Sequence, residues 1–227
     1  MEQNDSAHKQ TDEDQTMKIQ MEKMVESYDN YMRKITFGRE RTLREMTVSL
    51  AQVKPGDSVL EVGCGTGTLT LAAKRQTGPS GKVFGIDLIP GMIEISHGKA
   101  SRANEDITFQ IGSIEDIPFP ANQFDVVMCS FMIFHMSEIV RRKGISEIYR
   151  VLKPRGRLLV LDLALPKQAL PRTIAKMLVG RMLQHDLREL VPLMEATGFS
   201  DIETAPARFR IWGLSVLAFV RGNARKS

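Results

Sequence analysis

Short apolar runs recur along the middle of the chain, and turn-forming residues flank each of them. Each run is too short for a buried helix and is rich in β-branched residues, which is typical of buried strands. The predicted strands cover 58–62, 82–86, 107–111, 124–129 and 157–162, with helical patterns at 67–77, 90–103 and 137–152 between them. This alternation predicts an α/β fold: a doubly wound, Rossmann-like, mainly parallel sheet with helices on both faces.

The two ends of the chain depart from this alternation. Residues 1–16 are polar and show no apolar pattern, which predicts a disordered tail. Apolar positions at helical spacing follow, so we expect an N-terminal helical cap over 17–54. The apolar runs 200–205 and 211–220 flank a short loop and predict an antiparallel C-terminal hairpin, which brings the sheet to seven strands. Residues 17–227 are thus expected to form a single domain.

Composition excludes several classes of protein. The fractions of hydrophobic residues (42%) and charged residues (26%) are ordinary for a globular chain, and the longest apolar stretch, 211–220, is about half of a membrane-spanning helix. Cys64 and Cys129 cannot form a disulfide framework, and the polar start does not resemble a signal peptide, so we expect a cytoplasmic location.

The net charge of +4 comes from scattered residues, which favours no nucleic-acid partner. The four histidines lack metal-ligand spacing, so no metal is predicted.

The first predicted strand runs directly into a glycine-rich loop with the sequence GCGTG at 63–67, and a helical pattern begins near Thr68. Alternate glycines allow a ligand to lie against the backbone at the positive end of that helix, although a tight strand-to-helix turn alone would also use them. The Lys-Ser/Thr pair of an ATP-binding P-loop is absent, and the spacing is not the G-x-G-x-x-G of dinucleotide sites. Asp87, at the end of the second strand, is placed to accept hydrogen bonds from ribose hydroxyls. An adenosine-containing ligand is therefore expected.

Five segments in order resemble the successive motifs of class I S-adenosylmethionine-dependent methyltransferases. They are VLEVGCGTG at 59–67, GIDLIPGMIEIS at 85–96, GSIEDIPFP at 112–120, FDVVMCSFMIFHM at 124–136 and EIYRVLKPRGRLLVLDL at 147–163. Together with YDNYMRKITFGRERTLREM at 28–46, the pattern is most similar to the group of ubiquinone and menaquinone C-methyltransferases and bacterial phospholipid N-methyltransferases. The resemblance implies an enzyme that uses S-adenosylmethionine as its cofactor.

The resemblance also implies a set of cofactor-binding residues. The glycines would approach the methionine part of the cofactor, Glu61 would order their loop, and Asp87 would bind the ribose. The remaining contacts would surround the adenine or close the site. The full set is Tyr28, Glu61, Gly63, Gly65, Gly67, Asp87, Leu88, Met92, Ser113, Ile114 and Ser130, with Glu115 along the adenine edge. Ser113 stands where the family commonly has an aspartate, so its hydrogen bond to the adenine amino group would lack charge assistance.

No catalytic residue follows from the sequence, because methyl transfer from an activated sulfonium mainly requires alignment of the acceptor. His135 is the candidate for a base or an orienting group, with packing near the cofactor as the alternative. Cys64 and Cys129 have no adjacent histidine and are interpreted as structural thiols.

The acceptor is expected to be small and apolar or amphipathic, such as a quinone precursor or a lipid. A basic amphipathic segment at 166–183 could cover the acceptor, touch a membrane surface peripherally, or pack as an ordinary helix.

Nucleic-acid methylation is disfavoured, because CSFM at 129–132 replaces the base-methylating signature. A non-catalytic S-adenosylmethionine-binding protein or partner subunit is the main alternative, and a nicotinamide-dependent oxidoreductase is a further one.

Overall fold

The computed structural model describes residues 19–133, 136–164, 186–211 and 215–226. A helical stretch at 19–24 and a 3₁₀ turn at Val25–Ser27 open the described chain. The α-helices that follow are α1 (Tyr28–Ile35), α2 (Glu40–Leu50), α3 (Thr68–Thr77), α4 (Pro90–Ala103), α5 (Glu138–Val151) and α6 (Leu190–Thr197), the last preceded by a 3₁₀ turn at Leu187–Glu189. The strands are β1 (Ser58–Val62), β2 (Lys82–Asp87), β3 (Thr108–Ile111), β4 (Phe124–Ser130), β5 (Leu152–Leu163), β6 (Phe199–Pro206) and β7 (Leu217–Ala224).

The strands form one seven-stranded sheet in the order β3-β2-β1-β4-β5-β7-β6. The first five strands are parallel, whereas β7 pairs antiparallel with both β5 and β6. The predicted Rossmann-like sheet with an antiparallel C-terminal pair is confirmed. The chain order reverses between β1 and β4, so the connections that leave these strands diverge to opposite faces and open a crevice at their carboxyl ends.

Both faces of the sheet are buried, as the continuous apolar runs predicted. Val59 and Leu60 are adjacent in β1 and both fully buried, but they belong to opposite core clusters because successive strand side chains alternate in direction. One cluster includes Leu43 of α2 and Leu69 of α3, and the other includes Ile148 of α5 together with α6 residues. The N-terminal helices thus share a hydrophobic core with α3 on one face of the sheet.

The last strand differs from its prediction. The apolar run at 211–220 predicted it, but β7 covers Leu217–Ala224, and Ile211 forms only an isolated bridge. Pairing with β5 decides the register, since Arg157 lies opposite Asn223 and Leu163 opposite Leu217. Polar residues are tolerated in this strand because β6 supplies partners, including a salt bridge between Arg221 and Glu203.

Strand β5 begins at Leu152, five residues before the predicted start at 157. A register shift between Phe124 and Val126 of β4 lets Leu152 pair with Phe124, which extends the strand beyond its apolar core. The predicted tail at 1–16 and the acceptor-side segment at 166–183 lie outside the described residues. Among the described helices, none is long and apolar enough to cross a membrane.

Candidate active site

A cavity of about 220 Å³ lies at the carboxyl ends of β1, β2 and β4, where the strand order reverses. Its walls come from the N-terminal helices, the glycine loop, the β2 and β3 ends and the segment after β4. The lining residues are Met21, Tyr28, Val62, Gly63, Gly65, Asp87, Leu88, Ile89, Met92, Gly112, Ser113, Ile114, Glu115, Ser130, Phe131, Met132, Met136 and Val140. The position is the one at which open α/β sheets bind ligands.

Gly65 and Gly67 have different surroundings although both lie in the same loop. Each has a positive φ, +52° for Gly65 and +75° for Gly67, a conformation that side chains resist. The nearest atoms to a Cβ on Gly65 would be those of the Tyr28 side chain, at 3.7 Å, whereas a Cβ on Gly67 would lie 2.9 Å from both Phe109 and Ser96. Gly65 therefore faces the cavity, whereas Gly67 lets the loop pack closely against α4 and β3.

Asp87 lies at the cavity wall and holds the glycine loop to the end of β2. Its Oδ2 accepts a hydrogen bond from the Gly65 N–H at 2.8 Å, and its Oδ1 accepts one from the Ile89 N–H at 3.0 Å. Burial raises the pKa of this carboxyl, while the backbone donors oppose that shift. Each carboxylate oxygen has further lone pairs, so a fixed Asp87 can still accept hydrogen bonds from a ligand.

Glu61 lies beneath the loop and does not line the cavity. Thr70 of α3 donates a hydrogen bond to Glu61 Oε2, which ties β1 to the helix that follows the loop. Burial raises the pKa of Glu61 to about 8, although Thr70 and the buried Arg44 favour the charged form. Burial thus makes the charged form of Glu61 costly at this position.

The raised pKa predicts a specific pH dependence for the Glu61→Gln variant in the absence of ligand. The pKa of this carboxyl is about 8 in the folded protein and 4.5 ordinarily. Its protonated form therefore stabilises the fold fully below pH 4.5, and this contribution to the free energy of unfolding is lost as the pH rises through about 8. Glutamine does not titrate and can still accept the Thr70 hydrogen bond. The unfolding free energy of Glu61→Gln, measured by urea unfolding, should therefore rise relative to that of the parent as the pH increases through this window.

The matched control is Glu94→Gln, which changes an exposed carboxylate on α4. Its unfolding free energy should follow that of the parent across the whole pH range. Parallel profiles for Glu61→Gln and the parent would contradict a raised pKa of Glu61 in the folded protein.

Lys99 joins the N-terminal cap to the glycine loop. Its Nζ forms a salt bridge of 2.7 Å with Asp29 of α1 and donates hydrogen bonds to Thr66 Oγ1 at 2.8 Å and Thr68 Oγ1 at 3.0 Å. Thr66 Oγ1 in turn donates to Asp29 Oδ1 at 2.7 Å. Partial burial opposes ionisation of Asp29, but the bonds from Lys99 and Thr66 outweigh it and lower the pKa. The network thus fixes α1, which carries Tyr28 at the cavity wall, to the glycine loop.

We predict that Lys99→Met loosens the cap without unfolding the sheet. The variant keeps the apolar stem but leaves the Asp29 carboxylate with one donor fewer, at a cost of about 1 kcal/mol for a partly exposed pair. Amide hydrogen exchange in 28–35 should then accelerate by roughly fivefold while exchange in β1 and β4 is unchanged. Arg41→Met removes an exposed pair with Glu45 on α2 and is the control. Equal exchange rates in parent and Lys99→Met would contradict the role of the network.

The wall that follows β4 is mostly apolar, formed by Phe131, Met132, Met136 and Val140. Ser130, at the end of β4, is buried, and its Oγ has no hydrogen-bond partner among the described residues. A buried hydroxyl without a partner on a cavity wall is a group that a ligand can satisfy. His135, the candidate catalytic residue, lies outside the described residues.

Most of the residues assigned to the cofactor by sequence lie together at the cavity; the exceptions are Glu61 and Gly67. The cavity is also lined by residues that the sequence does not predict as site residues: Met21, Val62, Ile89, Gly112, Phe131, Met132, Met136 and Val140. Apolar residues of this kind carry no chemical signal in the sequence, but all of them except Met21 and Val140 fall within the five motifs. Both cysteines are buried, which raises the pKa of each thiol and keeps it protonated at neutral pH. Across the described residues, no group of histidine, cysteine or carboxylate side chains could hold a metal ion.

Comparison with known proteins identifies the family. Residues 59–156 match the model of a methyltransferase domain. The chain is 37% identical over 157 residues to a demethylmenaquinone methyltransferase of Symbiobacterium thermophilum, covering 68% of this chain and 62% of that protein. It is 32% identical over 161 residues to a ubiquinone/menaquinone biosynthesis C-methyltransferase of Geotalea daltonii, covering 70% and 68%. The match thus spans about three fifths of the Symbiobacterium protein and two thirds of the Geotalea one.

A solved structure agrees at the level of the fold. A SAM-dependent methyltransferase from Aquifex aeolicus superimposes with a TM-score of 0.67 over 89% of this chain and 98% of its own, at 21% identity. The chain belongs to the class I S-adenosylmethionine-dependent methyltransferases.

The residues at the cavity fit the cofactor of this family. A carboxylate fixed by backbone donors suits a ribose, and the glycine at 65 leaves backbone open to a ligand. The Ser130 hydroxyl, which has no hydrogen-bond partner within the described part of the chain, offers a further hydrogen bond. Leu88, Met92 and Ile114 give the cavity an apolar lining, which is the kind of surface that an adenine ring requires.

Proposed function

We propose that this protein transfers a methyl group from S-adenosylmethionine to a small, flat, apolar acceptor of the quinone-precursor type. The observation that carries the proposal is the division of one cavity into two parts. Asp87 and the glycine loop form the polar part, and the methionine and phenylalanine side chains after β4 form the apolar part. The relatives from Symbiobacterium and Geotalea, named for demethylmenaquinone and for ubiquinone or menaquinone, support a quinone-type acceptor.

In this proposal the chain holds its cofactor through named groups. Asp87 accepts hydrogen bonds from the ribose hydroxyls, Leu88 and Met92 flank the adenine, and Ser113 accepts from the adenine amino group. Gly63 and Gly65 present backbone to the methionine part. Tyr28, held by the Asp29–Lys99 network, closes the site from the cap. Glu61 acts only indirectly, by fixing β1 to α3 through Thr70.

When bound, the cofactor supplies a methyl group already activated by its sulfonium. The protein then has to align an acceptor carbon with that methyl group and keep water away. Phe131, Met132 and Met136 align the acceptor and exclude water, because they form an apolar wall. The flexible thioether side chains of the two methionines can adapt their shape to a ring. Val62 pairs with Cys129, so Ser130 follows at the level of Gly63, between the polar and apolar parts. Its hydroxyl can hydrogen-bond to a ligand there.

A carbon acceptor must also lose a proton after methylation, which requires a base. The apolar wall formed by Phe131, Met132, Met136 and Val140 carries no titratable side chain. His135 remains the candidate for this base because of its place in the sequence.

A cytoplasmic location likewise remains a prediction from composition.

The Asp87→Ala variant tests cofactor binding. Removing the carboxylate should weaken binding of S-adenosylhomocysteine by roughly 30- to 100-fold, since charge-assisted hydrogen bonds are worth about 2–3 kcal/mol here. Isothermal titration calorimetry measures the effect, and Asp106→Ala, an exposed carboxylate between α4 and β3, is the control. Asp87→Asn keeps one acceptor oxygen and should lie between parent and Asp87→Ala. Unchanged affinity in a folded Asp87→Ala protein would remove Asp87 from the site.

The acceptor is tested with radiolabelled S-adenosylmethionine and three candidate classes in detergent: a short-chain 1,4-naphthoquinol, the corresponding benzoquinol and phosphatidylethanolamine. We expect label in one of the quinols and none in the phospholipid. Label only in the phospholipid would overturn the quinone-type acceptor while keeping the methyltransferase activity. Tight cofactor binding with no transfer to any compound in a cell extract would favour the non-catalytic alternative.

A further inference from the structure

The turn between α1 and α2 presents an aromatic side chain to solvent. Phe37 is 64% exposed, and its φ of +52° places a bulky residue in the left-handed region. Gly38 follows with φ +73°, so the backbone reverses sharply and Phe37 stands at the tip. Phe37 is the most exposed large hydrophobic residue of the described chain.

Positive charges surround this tip. Arg33 and Lys34 lie in the last turn of α1, and Arg39 follows the turn; all three are exposed. Arg39 Nη2 donates a hydrogen bond to the carbonyl oxygen of Arg210 at 2.9 Å, and its guanidinium lies 4.9 Å from the ring centre of Phe209. This contact fixes the turn to the segment between β6 and β7.

That segment adds two exposed cations, Arg208 and Arg210. The two joined segments, 30–39 and 204–211, contain five cationic residues and no aspartate or glutamate. The nearest acids in sequence on α2 are occupied, since Glu40 binds the buried Arg44 and Glu45 binds Arg41. We call the surface formed by Arg33, Lys34, Phe37, Arg39, Arg208 and Arg210 the basic face.

We propose that the basic face binds the surface of an anionic lipid bilayer, with Phe37 inserted at the boundary between the headgroups and the acyl chains. Cations around a protruding aromatic residue match this partner, since each Lys or Arg gains from the negative surface potential and the exposed phenylalanine ring gains from entering the acyl boundary. A nucleic-acid backbone would also attract the cations. It offers no apolar layer for Phe37, however, and Phe37 is at the tip.

Membrane binding here would bring the candidate active site close to the bilayer. Helix α1 carries Tyr28 at its first residue and the basic turn at its end, and its eight residues span roughly 12 Å. An apolar acceptor dissolved in the bilayer would then be near the cavity. The binding surface itself uses no residue that lines the cavity.

The test is flotation of the full chain with vesicles of phosphatidylcholine alone and of phosphatidylcholine mixed with phosphatidylglycerol. We expect binding only to the mixed vesicles, weakening as salt is raised. Lys34→Glu and Arg33→Glu should each lower the partition coefficient by at least about fivefold, and Phe37→Ser by roughly tenfold.

Two control variants match these changes at the opposite edge of the sheet. Ile111→Ser removes an apolar side chain that is 56% exposed on β3, and Arg102→Glu reverses an exposed charge at the end of α4. Both should bind vesicles like the parent. Equal losses in the control and basic-face variants would overturn the proposal, as would absence of binding to anionic vesicles. A fluorescent oligonucleotide that binds tightly while Phe37→Ser leaves its affinity unchanged would assign the face to nucleic acid instead.

Discussion

The parallel pairing of β1 with β2 on one side and β4 on the other is the constraint on which the site depends. It brings the carboxyl ends of three strands to one edge, so the loops after them meet although they are far apart in the chain. Asp87 uses this proximity directly, because its carboxylate accepts the Gly65 N–H at 2.8 Å and thereby fixes the loop after β1 to the end of β2. That bond acts together with backbone hydrogen bonds from Gly63 and Cys64 to Ile86 to hold a loop of left-handed glycines.

The polar groups behind this edge have a structural task. Glu61 and Arg44 are both buried, and Glu61 is joined to α3 by Thr70. Burial raises the pKa of Glu61, so the fold carries a carboxyl that is costly to ionise directly under the candidate cofactor site. Lys99 lies on the outer side of the same loop and ties it to the cap. A hydrogen bond thus ties the strand before the loop to the helix after it, and hydrogen bonds with Lys99 and Asp29 hold Thr66 of the loop from the side, which leaves the cavity face of the loop for a ligand.

The cap connects this rigid site to the protein surface. It buries Leu43 and Val48 in the core, so it is an integral part of the fold. At one end of α1, Tyr28 lines the cavity; at the other, the turn with Phe37 carries exposed cations. A short helix therefore links a site with an apolar wall to a surface suited to lipid.

The sequence by itself determined the strand and helix order, the glycine loop and Asp87, because these depend on local periodicity and on contiguous motifs. Only the tertiary structure decided that Glu61 and Gly67 face away from the cavity, since both directions depend on packing against Thr70, Phe109 and Ser96. Only the fold joined Lys99 to Asp29, 70 residues earlier, and set the start of β7 by its register against β5. Local patterns record which residues prefer a strand, a helix or the interior, whereas a contact between distant residues exists only once the sheet has fixed where each element lies.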